Sequence, residues 1–344
     1  MSLPELLGIE LPVIQAPMAG VQGSALAIAV SQAGGLGSLP AAMLSPDDLR
    51  AELTQIRSAT DRPFNVNFFC HETPPPDARR EAAWQAALAP YYQELAIDPS
   101  VIKAGPGRAP FSVEVADLVE AFKPPVVSFH FGLPSPALLA RVKGWGATVL
   151  ASATTVDEAR WLEAHGADVV IAQGLEAGGH RGHFLSHDLT VQMGTFALLP
   201  QVVRAVKVPV VATGGIVDAQ GVTAALALGA AGVQVGTAYL LAHEATTSRI
   251  HRAALQSEAA RHTALTNLFT GRPARGIVNR LMGALGPIVL DAPDFPLATG
   301  AIAPLRAKAE SLGSGDFSPL WSGQNASACR EASAADITRS LFSH

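Results

Sequence analysis

One glycine-rich stretch concentrates the residues able to do chemistry: Gln173-Gly174-Leu175-Glu176-Ala177-Gly178-Gly179-His180-Arg181-Gly182-His183. A histidine in such a stretch has no apolar periodicity to bury it, so His180 is the candidate catalytic residue, a proton acceptor or donor near neutral pH. His183 and Arg181 beside it, and His130 after the apolar run 126–129, are candidate substrate contacts; these residue types suit an anion. His180 and His183 form a His-x-x-His pair. No third ligand or acidic cluster lies nearby, so no metal is expected. Glu176 in the same loop is a weaker candidate for a base, because a charged residue in a turn is more often solvated. His71, His165, His243, His251 and His262 fall on helix-like or loop stretches and read as ordinary. Neither Cys70 nor Cys329 falls in the His180 loop, which argues against a loop thiol nucleophile. A Gly-x-Ser-x-Gly elbow and a Gly-Lys-Ser/Thr phosphate loop are both missing.

A second constellation is made of glycine. Thr213-Gly214-Gly215-Ile216 closes one apolar run, and Gly236-Thr237 closes the next, 21 residues after Gly215. Glycine at such turns lets backbone N–H groups approach a phosphate closely. The expected ligand is phosphorylated with an apolar body. Flavin mononucleotide (FMN) fits, with Asn67 and Gln173 able to hydrogen-bond its ring system. The Gly-x-Gly-x-x-Gly dinucleotide fingerprint is absent.

These residues need a scaffold that gathers them. Apolar runs recur at 12–16, 35–39, 64–68, 126–129, 148–151, 169–173, 208–213 and 232–236, most of them followed by a turn and a helix-like stretch. Continuous apolar runs are the pattern of parallel strands buried on both faces. Helices are expected over 24–32, 46–57, 136–145, 156–165, 196–206 and 218–228. Asp218 and Ser45-Pro46 are start signals, and Gly229 is a stop. Eight βα units predict an α/β fold, a (β/α)8 TIM barrel with an inserted and C-terminal helical lid; an open doubly wound sheet is the competitor. In a barrel, phosphate sites sit on the loops after strands seven and eight, which is where the two glycine turns fall. Residues 1–69 and 126–242 form the expected FMN-binding barrel. Residues 70–125, with a helix over 79–95, a turn at Gly105-Pro106-Gly107 and a helix near 112–122, form an insertion. Residues 243–344 form a C-terminal helical segment, and the two together make the lid or substrate subdomain.

Composition sets the outer bounds. The chain has 344 residues, 49% hydrophobic and 15% charged, with net charge −5. An acidic balance argues against nucleic acid, and the hydrophobicity argues against disorder. Residues 11–46 and 219–242 hold no Asp, Glu, Lys or Arg. Both are cut by glycine, proline or glutamine, so no membrane span is expected. The N-terminal residues lack the pattern of a signal peptide, so the expected location is cytoplasmic.

Four segments carry a family likeness. They are Gln15-Ala16-Pro17-Met18-Ala19-Gly20-Val21, the stretch from Gln173 to Gly182, Ala212-Thr213-Gly214-Gly215-Ile216, and Gln234-Val235-Gly236-Thr237. Together they resemble the nitronate monooxygenases, and Leu268–Gly276 and Leu320–Gln324 resemble their class I group. The resemblance runs over essentially the whole chain. It implies a metal-free, FMN-dependent enzyme whose partners are a small-molecule alkyl nitronate, such as propionate 3-nitronate, and O2. The products would be a carbonyl compound and nitrite or nitrate. It further implies that Met18, Asn67, Gln173, Gly178, Gly179, Gly214, Gly215, Gln234, Val235, Gly236 and Thr237 hold FMN, and that His180 is the active-site histidine. With a neutral nitroalkane His180 would take the α-proton; a nitronate has no such proton, and there it would position the substrate or stabilise charge. The class I pattern carries tyrosines near residues 297–305. Here that segment reads Leu297-Ala298-Thr299-Gly300-Ala301-Ile302, and the tyrosines are Tyr91, Tyr92 and Tyr239, a departure that bears on the substrate. The alternative is an FMN-dependent NAD(P)H:quinone or enoyl-thioester reductase on the same barrel; a non-enzymatic flavin binder is a third. The oligomeric state, monomer or homodimer, is not set by the sequence.

Overall fold

A computed structural model describes residues 2–102 and 108–343. The eight apolar runs are parallel strands: β1 (Val13–Gln15), β2 (Gly37–Pro40), β3 (Phe64–Phe69), β4 (Val126–His130), β5 (Thr148–Ala153), β6 (Val169–Gln173), β7 (Val210–Thr213) and β8 (Gly232–Val235). They run β1-β8-β7-β6-β5-β4-β3-β2 in one 8-stranded sheet. A parallel bridge between Ile14 and Leu36 brings β1 back to β2. Its hydrogen bonds run from Gln15 N to Leu36 O and from Leu36 N to Val13 O, both 2.9 Å. The fold is a (β/α)8 barrel rather than an open sheet.

The barrel interior explains the apolar runs. Ile14, Leu36, Val126, Leu150, Val169, Ile171 and Val211 meet inside it, and Leu3 and Leu7 of the N-terminal helix Leu3–Leu7 join them. Nearer the mouth the interior turns polar. Asn65 Nδ2 donates to Ser38 Oγ (3.0 Å) and Ser128 Oγ (2.9 Å), and Asn67 Nδ2 donates to Ser128 Oγ (2.9 Å). This switch marks the end at which polar ligands are met.

Outside, helices cover the sheet. Ser24–Gln32, Pro46–Ala59, Pro136–Gly144, Val156–Ala164, Thr195–Ala205 and Ala219–Ala227 lie where the sequence indicates. Ser45 Oγ accepts from Asp48 N at 3.1 Å and Asp218 Oδ1 from Gly221 N at 2.8 Å, so both start signals act as caps. Gly229 takes φ +97°, which favours glycine after a helix. The uncharged stretches are barrel elements. Among the described residues no helix is long and apolar enough to cross a membrane.

Each of the two extra segments divides its work. Val113–Glu120 is the helix that follows β3 on the barrel wall, with Ala116 and Val119 fully buried against it. The C-terminal helix Ala334–Ser340 also belongs to the wall: Ile337 and Leu341 join the outer core, and the Tyr239 and Thr338 hydroxyls meet at 2.8 Å. The remainder forms a separate core. Trp84, Leu88 and Tyr92 of helix Ala78–Glu94 pack with Phe269, Met282, Ile302, Leu305 and Phe317. Tyr92 Oη donates to Ala301 O at 2.7 Å, and Arg80 pairs with Asp294 at 2.7 Å. Apolar residues some 200 positions apart thus bury one another. The turn expected at Gly105-Pro106-Gly107 lies outside the described residues.

Candidate active site

The barrel mouth opens into a cavity that most of the expected residues line. Met18, Asn67, His130, Gln173, Gly178, Gly179, His180, Gly214, Gly215, Gln234, Gly236 and Thr237 all border it. Arg181, His183 and Val235 do not.

The glycine side is built from backbone. Gly214 and Gly215 take φ +121° and +74°, values that side chains resist. Gly236 precedes a short 3-10 turn, Thr237–Leu241, whose start has no side-chain cap. The segment after Trp321 crosses above. Gly323 N donates to Thr237 Oγ1 at 3.0 Å, and Asn325 Nδ2 to Gly215 O at 3.1 Å. A Cβ on Gly178 would stand 2.6 Å from Gly323 N, so glycine is required there. Val235 is turned away: side chains alternate along a strand, so Gln234 borders the cavity while Val235 packs into the outer core. In the turn after β1, Gln22 bridges to Ser38 O (2.6 Å) and receives Met18 N (2.9 Å), fixing the Met18 turn.

The histidine side is built from side chains. His180 lies in a two-residue strand, Gly179–His180, that pairs antiparallel with Ala274–Ile277, His180 opposite Ala274. The sequence places it in a bare loop; the partner strand comes from about a hundred residues downstream and leaves no local signal. His180 Nε2 lies 2.9 Å from Thr270 Oγ1, and the Thr270 hydroxyl lies 3.4 Å from Arg272 O. With the hydroxyl proton turned to that carbonyl, His180 Nε2–H is the donor and Nδ1 carries the lone pair. Phe295, Trp321 and Phe131 surround the ring, with centroids at 5.3, 5.6 and 6.1 Å. Burial first, then the charge of Arg108, holds its pKa well below the ordinary value, so the ring is neutral at pH 7.

His130 and Gln173 act on the same backbone. Gln173 Nε2 donates to His180 O at 2.9 Å and Gln173 Oε1 accepts from Gly182 N at 2.7 Å. His130 Nε2 lies 3.3 Å from His180 O. Burial, then Arg272, lowers His130 to about 3. Both side chains therefore pin the His180 strand as well as bordering the cavity. Phe131 follows at φ +70°, a strained value for a non-glycine residue.

Two proposed substrate contacts point elsewhere. Arg181 is fully buried behind the site, donating to Gln173 O (2.7 Å), Gly174 O (2.6 Å) and Gln192 Oε1 (2.8 Å). Its guanidinium satisfies carbonyls that a tight glycine loop leaves exposed. His183 is buried outside the cavity beside His187, with no hydrogen bond to either ring nitrogen. Glu176 is also structural: its carboxylate accepts from Thr195 N (2.8 Å) and Thr195 Oγ1 (2.8 Å), where helix Thr195–Ala205 begins. Cys70 and Cys329 are free thiols, and burial raises both.

Arg108 and Phe295 had no local signal as site residues; Thr270 and Trp321–Gln324 lie in the stretches that carry the resemblance, but nothing local gave them a role. Arg108 borders the cavity, and its guanidinium reaches Thr299 Oγ1 at 3.1 Å. Among the described lining residues none is Asp or Glu. The site therefore suits an anion.

Comparison with known proteins agrees with this geometry. A sequence model of the nitronate monooxygenase family matches residues 1–344. The chain is 42% identical to the nitronate monooxygenase of Pseudomonas aeruginosa, over 98% of this chain and 96% of that one. It is 42% identical to that of Paraburkholderia phytofirmans, over 99% and 93%. The solved structure of nitroalkane oxidase from Streptomyces ansochromogenes superposes with a TM-score of 0.90 at 38% identity, covering 99% of this chain and 96% of that one. Matched from end to end in sequence and in fold, this chain is an oxidoreductase of the nitronate monooxygenase family.

Proposed function

We propose that the protein oxidises alkyl nitronates, propionate 3-nitronate among them, with O2 on bound FMN, giving a carbonyl compound and nitrite or nitrate. The observation that carries this reading is one cavity that joins two glycine turns to a neutral histidine, with no carboxylate among its described lining residues. The residues present fit FMN. A Cβ on Gly236 would press on Ala16 Cβ at 3.3 Å, and Gly214 and Gly215 hold conformations that glycine adopts without strain, so the cradle depends on glycine at these positions. Gly214, Gly215, Gly236 and Thr237 would hold the phosphate; Met18, Asn67, Gln173, Gly178, Gly179 and Gln234 would border the ring system. When bound, FMN supplies the electron transfer between substrate and O2.

The chain's own residues supply position and proton control. His180 is neutral with Nδ1 unprotonated, the form able to accept the α-proton of a neutral nitroalkane. Thr270 fixes the ring's orientation and tautomer. For a nitronate no proton needs to be moved, and the positive field that lowers His180, from Arg108 and Arg272, favours the anion. The helical core of 78–94 and 299–311, with Phe295 and Trp321 flanking His180, is the proposed lid that keeps water away.

The test is spectroscopic. The purified protein should be yellow and release FMN on denaturation. Under anaerobic conditions propionate 3-nitronate should bleach the flavin, while NADH should not. Rapid bleaching by NADH alone would assign the protein to the reductases, and a colourless protein that cannot be reconstituted would end the cofactor reading.

A further inference from the structure

We propose that Asn325, on the segment that crosses above the glycine turns, is a further phosphate-reading residue: its side-chain amide makes the site select a phosphorylated flavin over the unphosphorylated one. This role rests on the FMN reading above.

Cations are scarce where the phosphate would lie. Among the described lining residues Arg108 is the one Arg or Lys. It stands on the histidine side: its guanidinium carbon is 5.9 Å from the Phe295 ring centroid, and Phe295 in turn flanks His180 at 5.3 Å. The two helix starts beside the turns are already taken by carboxylates. Glu176 accepts from Thr195 N at 2.8 Å, and Asp218 Oδ1 from Gly221 N at 2.8 Å. A phosphate at Gly214-Gly215 and Gly236-Thr237 is therefore held by neutral donors, and a donor aimed at a charged acceptor is worth about twice one aimed at a neutral acceptor.

Asn325 supplies such a donor, and its neighbours fix which way the amide points. Its Oδ1 accepts from Ser327 N (3.3 Å) and Ser327 Oγ (2.7 Å), and its Nδ2 donates to Gly215 O (3.1 Å). A backbone N–H only donates and a carbonyl only accepts, so the amide cannot be turned over. The nitrogen carries two N–H groups. One goes to Gly215 O, and the other has no acceptor among the described residues. Asn325 borders the cavity together with Gly214, Gly215, Thr237 and Gly323, which leaves that second N–H for a ligand at the glycine end. Thr237 makes a matching offer: its hydroxyl accepts from Gly323 N at 3.0 Å and keeps its own proton to give. The segment itself is pinned, with Ser322 N donating to Arg275 O (3.2 Å) and Gln324 N to Glu176 O (2.9 Å). Both donors are held in place before any ligand arrives, which lowers the entropy lost on binding.

Fluorescence titration of the apoprotein with FMN and with riboflavin tests this, because riboflavin keeps the ring and the ribityl chain and lacks the phosphate. The unaltered protein should bind FMN at least roughly 10-fold more tightly than riboflavin. Asn325→Ala should weaken FMN by roughly 10- to 100-fold and leave riboflavin within about twofold. Asn325→Asp keeps the shape and the acceptor for Ser327 but sets a carboxylate against the phosphate. It should hold FMN more weakly than Asn325→Ala does, regain part of the loss at high salt, and match Asn325→Ala on riboflavin. Equal affinity of the unaltered protein for the two flavins overturns the proposal and needs no variant to fold. Equal weakening of both flavins by Asn325→Ala overturns it too, as does an Asn325→Asp protein that holds FMN as well as Asn325→Ala, since the amide would then only prop the Gly215 turn. Binding of neither flavin would remove the FMN reading and this role together, whereas the other adverse results strike Asn325 alone.

Discussion

At the ends of β7 and β8 the cavity wall is glycine backbone, whereas across from it the wall is histidine, arginine and aromatic side chains drawn from segments far apart in the chain. The backbone wall needs conformations and close approaches that exclude a Cβ, as at Gly214, Gly215 and Gly178. In the proposed function it would act through N–H groups, and it carries no titratable side chain. The side-chain wall is electrostatic. Arg108 and Arg272 add positive charge to a desolvated pocket, and His71, His130 and His180 all respond with lowered pKa values. On the proposed function the labour would divide accordingly: one wall would hold the ligand by shape, and the other would set charge and proton state.

The two walls should fail in different ways. The largest expected effect is on the side-chain wall. His180→Ala should lower turnover of neutral nitroalkanes by roughly 10²- to 10⁴-fold, with a smaller loss on nitronates and flavin content retained; equal losses in steady-state kinetics would contradict the proton-accepting role. Next is the brace between the walls. Arg181→Met strips donors from Gln173 O, Gly174 O and Gln192 Oε1, and should cost about 2–4 kcal/mol in thermal or denaturant unfolding. An unchanged midpoint would mean that this guanidinium does not hold the loop.

On the backbone wall, Gly214→Ala forces a side chain into φ +121° with its Cβ 2.6 Å from Thr195 Oγ1. Flavin affinity should fall by about 10-fold or more, given strain of about 1–3 kcal/mol, while the pH profile of the remaining activity stays put. Fluorescence titration of the apoprotein reads the first and a pH–rate profile the second; a shifted profile would join the walls that the comparison separates.

Of the two walls, acid should act on the side-chain one. His130 is lowered to about 3 and His71 to about 4 from an ordinary 6.5. Between those limits the unfolded chain binds more protons than the folded one. Stability is therefore full above pH 6.5 and drains as pH falls toward 4, by up to about 1.4 kcal/mol per pH unit for each group. Urea midpoints measured across that range should fall, and His130→Gln should flatten the slope. The smallest effect is expected from Thr270→Val, which removes one hydrogen bond on His180 and should slow neutral-nitroalkane turnover about fivefold; no change would show that Phe295 and Trp321 alone orient the ring.

Most of the backbone wall was legible in the sequence. Gly214-Gly215 and Gly236-Thr237 ended apolar runs, and glycine at strand-to-helix turns states a local backbone requirement. His180 was legible too, by its glycine neighbours. The reading failed where direction mattered. Arg181 and His183 adjoin His180 in sequence, yet Arg181 is held behind the cavity by buried carbonyls that need donors, and His183 packs outside it beside His187. Val235 shares a motif with Gln234 but faces the opposite side of the strand. His71, read as an ordinary histidine, sits edge-on to Phe295 with ring centroids 4.7 Å apart.

Local sequence was enough for the repeat: eight buried parallel strands, the helices after them, and glycine turns at the ends of β7 and β8. Those features arise from local periodicity and local conformational freedom, which neighbouring residues settle among themselves. The tertiary structure alone decided that Thr270, Phe295, Trp321 and Arg108 surround His180, that Ala274–Ile277 turns its loop into a strand, and that Ala334–Ser340 returns to the barrel wall. Each of those contacts joins residues far apart in the chain. Each forms because the closed barrel brings strand ends and long excursions to one mouth, where burial rewards the pairing.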